Sequence, residues 1–254
     1  MQSNFVYAML FTTGAGLATT LGSAIGLSIK KPGPKFMGFS LGFSAGVMIL
    51  VSFMELLPDS ITAIGFKSAY TSFFLGMIIF FLIDVIVPHD YIGQHDHGEI
   101  NSSGKLMHTG LLVALGICIH NIPEGMATFV GTMEDINLGI AIAVAIAIHN
   151  IPEGVAVSVP IYAATGSRKK ALFWSFLSGI SEPVGAGIAG LILLPFLTPE
   201  LLGLVLAFVA GIMVAISIDE LVPVAKSFDT EHTPIIGFIL GMLVMVISLT
   251  LLGG

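Results

Sequence analysis

The sequence predicts an all-α integral membrane protein, a bundle of eight membrane-spanning helices. Three observations carry that prediction. Of 254 residues, 55% are hydrophobic and only 10% are charged, where a soluble domain has roughly 25% charged residues. The mean hydropathy is +1.00, so lipid is the expected solvent for most side chains. The apolar runs are also long enough: a span needs about 20 mainly apolar residues, and eight segments qualify. They do not alternate over about 10 residues as barrel strands would.

In chain order the first span covers about 5–29. Its start, MQSNFVYAML, has no basic flank, so a mature span is expected rather than a cleaved signal. Lys30, Lys31 and Lys35 separate it from the second span, 36–57. Lys67 precedes the third, 69–87, and Lys105 the fourth, 107–131. A short polar turn leads to the fifth, 136–161, and Arg168, Lys169 and Lys170 precede the sixth, 171–196. The seventh, 200–224, is followed by Lys226 and the eighth, 234–252. All of the nine Lys and Arg residues except Lys67 therefore fall on one side. Basic loops stay in the cytoplasm, which predicts both termini extracytoplasmic. The chain reads as one transmembrane domain, 1–254, with a cytoplasmic His-containing loop at about 88–107.

Two internal repeats organise the spans. HNIPEG occurs at His120–Gly125 and again at His149–Gly154, in spans four and five. SAGVMILVSFMELLP (44–58) is echoed by VAGIMVAISIDELVP (209–223), in spans two and seven. The shared letters include Gly46/Gly211, Met48/Met213, Ser52/Ser217, Glu55/Glu220 and Pro58/Pro223. With eight spans, the members of each pair cross in opposite directions. Inverted repeats with a site near the midplane mark secondary transporters.

The acidic residues inside the spans are Glu55, Asp84, Glu124, Glu153, Glu182, Asp219 and Glu220, with no Lys or Arg among them. Each ionised group costs about 2.5–3.5 kcal/mol at the bilayer centre, so these groups are expected either to be protonated or to await a cation from outside. Glu55, Asp84, Asp219 and Glu220 lie near span ends, where an interfacial position is open to them. His120, Asn121 and Glu124 fall in one arc of a helix, and His149, Asn150 and Glu153 repeat the arc on an antiparallel neighbour. Imidazole suits Zn, Fe and related metals, and carboxylate widens the range toward Mn. Pro123 and Pro152 each free a helical carbonyl beside these donors. Glu182, before Pro183, joins Asn121 and Asn150 as candidates for an oxygen-rich second set. His89, His95, His97 and His108 fall in the third loop, where weak metal binding and a solvated segment are equally open readings. Met48 and Met213 are expected to pack the core. Gly22/Gly26, Gly42/Gly46 and Gly237/Gly241 are expected at close helix contacts.

Composition excludes other classes. A single cysteine, Cys118, rules out internal disulfides and Cys-based zinc sites. A net charge of −7 without a basic cluster gives no reason to expect nucleic acid. The HNxxE spacing, with no HExxH, argues against an intramembrane metalloprotease, and no enzyme activity or cofactor is expected.

With its doubled HNIPEG, the Glu-Pro of span six, the His-bearing third loop and eight spans, the chain resembles the ZIP family of metal transporters, bacterial members above all. The likeness covers essentially the whole chain. It implies uptake of divalent metal, Zn²⁺ first and also Fe²⁺, Mn²⁺ or Cd²⁺, across the cytoplasmic (inner) membrane. It implies a binuclear site, with His120, Glu124, His149 and Glu153 in one half. Asn121, Asn150 and Glu182 would form the other, with Glu124 and Glu153 able to bridge. It also implies a homodimer in the bilayer. A metal-selective channel with an intramembrane binding site is the alternative at this stage.

Overall fold

The computed structural model describes residues 2–29, 33–86, 102–193, 198–228 and 231–253. They form helices α1 (Gln2–Ser28), α2 (Pro34–Val51), α3 (Leu57–Ile64), α4 (Phe66–Ile86), α5 (Ser102–Glu134) and α6 (Ile136–Thr165). Then come α7 (Arg168–Ile188), α8 (Pro199–Ile216), α9 (Val222–Phe228) and α10 (Thr233–Gly253). No strand occurs among the described residues.

Local chemistry sets the breaks. Gly65 (φ 77°) turns α3 into α4, and Gly166 (φ 63°) ends α6, both in the left-handed region that glycine enters at no steric cost. Thr198 caps α8 by accepting from Leu201 N at 3.2 Å, with Pro199 in the first turn. Ser167 caps α7 in the same way through Lys170 N.

Two π-turns interrupt what the sequence reads as plain spans. Ser52–Leu56 joins α2 to α3, and Ser217–Leu221 joins α8 to α9. Leu57 N–H reaches back to Ser52 O, and Val222 N–H to Ser217 O. Proline follows each turn, at 58 and 223, and its ring collides with the carbonyl four residues earlier. A wider turn relieves that collision without ending the helix. Ser52 and Ser217 donate to Met48 O (2.8 Å) and Met213 O (2.7 Å).

Among the described residues, seven helical segments are long and apolar enough to cross a membrane: 4–28, 34–64, 66–85, 106–133, 139–165, 199–228 and 233–251. The expected sixth span is helical from Arg168 through a third π-turn, Ala189–Leu193. Its centre carries the polar stretch SGISEPVGAG. Ser175, Ser178 and Glu182 are fully buried, so the polarity faces protein and not lipid.

Helix contacts come in matching sets. Helix α1 packs on α6 as α7 packs on α5, and α2 packs on α10 as α8 packs on α4. A Cβ added at Gly46 would strike the carbonyl of Phe238, and one at Gly211 that of Phe73. Gly22 abuts Ile151 as Gly185 abuts Ile122, inside the two HNIPEG copies. Gly16 and Gly179 abut each other. The inverted relation thus extends beyond the two repeats visible in the sequence, pairing spans one with six and three with eight. Gly42, Gly237 and Gly241 also sit where a Cβ would strike a neighbouring backbone, as their spacing predicts.

The hydrophobic core gathers Leu41, Met48, Ile117, Ile161, Ile212, Met213 and Ile216, so both repeat methionines are packing residues. The outward faces of α4 and α10 carry exposed Phe74, Ile78, Phe81, Ile239, Leu243 and Ile247. Apolar side chains on the outside are what a lipid solvent permits.

Candidate metal centre

Helices α5 and α6 run on through Pro123 and Pro152. They pack against each other and bring the two HNIPEG copies together. His120, Asn121, Glu124, His149, Asn150, Glu153 and Glu182 are all buried, none more than 2% exposed. The donors form two cross-helix pairs. His120 Nε2 lies 3.0 Å from Glu153 Oε1, and His149 Nε2 lies 3.2 Å from Glu124 Oε1. Glu182 is within electrostatic reach of Glu124, His149 and Glu153.

The asparagines are oriented by carbonyls of the flanking helices. Asn150 Nδ2 donates to Ala15 O at 2.9 Å and to Glu182 Oε2 at 2.8 Å. Asn121 Nδ2 donates to Ser178 O at 3.2 Å. Ala15 and Ser178 stand one residue before the mutually abutting Gly16 and Gly179 of α1 and α7. With each amide nitrogen committed, Oδ1 of both asparagines is buried and accepts no hydrogen bond. Glu124 Oε2, His149 Nδ1, Glu182 Oε1, Glu153 Oε2 and His120 Nδ1 likewise have no hydrogen-bond partner. A buried acceptor without a partner is expensive. Here many converge, and imidazoles and carboxylates together make a nitrogen-and-oxygen set suited to divalent transition metals.

A second cluster was not assembled by sequence reasoning. Asp84, His108 and Glu220 each place one ligand atom within 4.8 Å of the others. Glu220 also accepts from Thr109 Oγ1 at 2.7 Å. His108, expected in the third loop, belongs to α5, which starts at Ser102. His89, His95 and His97 lie outside the described residues. The one available signal was Glu220 itself, which shares its repeat position with Glu55. The inverted counterparts of the other two are not ligands of equal kind: in the same register Asp84 answers to Leu249 and His108 to Asn137.

A family model described as ZIP zinc transporter matches residues 88–249. The chain belongs to this family. A zinc transporter ZupT of Oceanobacillus iheyensis is 49% identical, over 99% of this chain and 100% of the relative. One of Chlorobium phaeovibrioides is 51% identical, over 96% of this chain and 97% of its own. One of Campylobacter jejuni is 45% identical, over 97% and 96%. The family match takes in both HNIPEG copies, Glu182 and the Asp219–Glu220 turn. This ZIP chain is therefore a multi-pass membrane protein of a transport family.

Proposed function

We propose that this chain takes divalent transition-metal ions, Zn²⁺ first among them, across the cytoplasmic membrane into the cell. One observation carries the reading: two inverted His–Glu pairs meet inside the bundle, surrounded by buried oxygen and nitrogen atoms that no protein group satisfies. The zinc transporters to which the chain is similar support the same cargo. The metal is substrate, not a resident cofactor.

His120, Glu124, His149 and Glu153 hold the ion in one half of a binuclear site. Asn121 Oδ1, Asn150 Oδ1 and Glu182 supply the oxygen-rich other half. Helix α7 counts as the eighth span, since its polar face is buried against the site. Lys35, Arg168 and Lys226 lie at one end of the bundle, so that end is cytoplasmic and both termini are outside. Asp84, His108 and Glu220 then lie on the cytoplasmic side of the centre and receive the ion as it leaves. The homodimer is carried over from the family resemblance.

The symmetry favours a carrier over a pore. Two halves of opposite direction provide two equivalent arrangements around one central site. Purified protein in liposomes, with a zinc-sensitive dye inside, tests this. Saturable zinc influx is expected, accelerated by zinc preloaded on the inside. Influx that ignores internal zinc overturns the carrier reading in favour of a channel. Absence of zinc flux overturns the function.

A further inference from the structure

We propose that Glu55 is the outer transfer ligand of this transporter, the carboxylate that receives a divalent metal ion before the His149–Glu124 pair takes it. This rests on the transport reading above. The first ground is position. Glu55 and Glu220 are equivalent in the inverted repeat, and each lies in a π-turn followed by proline. Glu220 gathers with Asp84 and His108 at one end of the bundle. Glu55 is its counterpart toward the other end.

The second ground is the state of the carboxylate. Glu55 Oε2 is inaccessible to solvent and accepts no hydrogen bond. Phe53 (43% exposed) and Met54 (59%) take the outward side of the turn, while Glu55 is withdrawn from it. The charged groups that bear on it are His149, Glu124 and Asp59. Two of those three are carboxylates, so nothing there neutralises it except an imidazole that is itself a proposed ligand. A carboxylate at membrane depth without a cation or a donor is costly. A divalent ion passing between Glu55 and Glu124 satisfies both.

The third ground is the turn. A π-turn adds a residue to one helical turn and redirects the side chains that follow. Its recurrence at Glu220, where the redirected carboxylate does join metal-type donors, says what the device does.

The test uses the full chain with Cys118→Ser as parent. In that background Glu55→Cys puts a thiolate where the carboxylate stood, and Cd²⁺ is the probe because it favours soft sulfur. One equivalent of Cd²⁺ is expected to raise thiolate-to-cadmium absorption in the near ultraviolet. Excess Zn²⁺ is expected to remove it. Neither the parent nor Met54→Cys should show it. Glu55→Gln is expected to lower zinc uptake at subsaturating zinc by about tenfold, with Glu55→Asp recovering most of it. A spectroscopically silent Glu55→Cys in a chain whose parent binds zinc overturns the inference, even if Glu55→Gln is slow, because charge alone then explains the defect. A parent that binds no zinc removes the transport reading itself, and this inference with it.

Discussion

Gly185→Ala asks how far the metal centre depends on contact between helix backbones. A Cβ at Gly185 would collide with the carbonyl oxygen of Ile122 and lie 2.8 Å from both its carbonyl carbon and its Cα. Carbon atoms prefer separations of about 3.5–4.0 Å, so α7 and α5 must part by roughly an ångström. Every obstructing atom is backbone, so no side chain can swing aside. Overpacking of this kind costs about 1–3 kcal/mol, which a large bundle survives. The centre does not. Ile122 lies between Asn121 and Glu124, and Glu182 stands one helical turn before Gly185. Metal–ligand distances tolerate about 0.2 Å, and an ångström of misplacement costs about a hundredfold in a positioned reaction. Zinc uptake in liposomes is therefore expected to fall on the order of a hundredfold, with only a modest drop in the detergent unfolding temperature. Gly187→Ala is the control, since nothing lies within 4 Å of the added carbon. Near wild-type uptake by Gly185→Ala would refute the claim that this contact sets ligand geometry.

Three further predictions concern the site and its surroundings. Alanine at His120, Glu124, His149 or Glu153 is expected to cut uptake by tenfold or more, on the order expected for disturbing a metal site, with protein still reaching the membrane; normal flux in two of the four variants would end the shared-site reading. Because a protonated imidazole cannot ligate, zinc affinity is expected to fall as pH falls, and binding to release protons. Calorimetry in buffers of different ionisation enthalpy reads that release, and a binding heat independent of buffer would contradict it. Deleting 93–101, which leaves Asp84 and His108 in place, is expected to spare uptake, measured as zinc accumulation in cells at matched expression.

Much of the fold is legible in the sequence, because lipid requires long apolar runs and tolerates few substitutes. The HNIPEG copies are legible because ionisable residues inside such runs need a reason. What stays hidden has physical causes. Ser175, Ser178 and Glu182 are buried in span six, where the sequence shows only polar letters within an apolar run. Proline at 58 and 223 signals a break, yet the helix widens into a π-turn and continues. The polar start SSGKLMHTG looks like loop, so His108 reads as a loop residue until α5 is seen to include it. The Asp84–His108–Glu220 cluster draws on three separate spans, and each member alone resembles an interfacial side chain. The pairing of spans one and six is masked by divergence: Thr19 and Glu182 occupy matching places, and only the Gly16–Gly179 and Gly22–Gly185 contacts betray it.

The broken symmetry between Asp84–His108–Glu220 and Leu249–Asn137–Glu55 has a consequence for control of flux. Two identical mouths would load and unload with equal ease. On the orientation and transport role proposed above, the cytoplasmic mouth retains an ion after the centre has let it go, while the outer mouth offers a much poorer hold. In a passive carrier no arrangement of ligands moves the equilibrium across the membrane. The timetable changes instead. As free metal in the cell rises, the inner donors stay filled for a greater share of each cycle, and the return of the empty carrier slows. On that reading, intake is throttled by its own product, with the set point written in the affinity of three side chains and no separate sensor required.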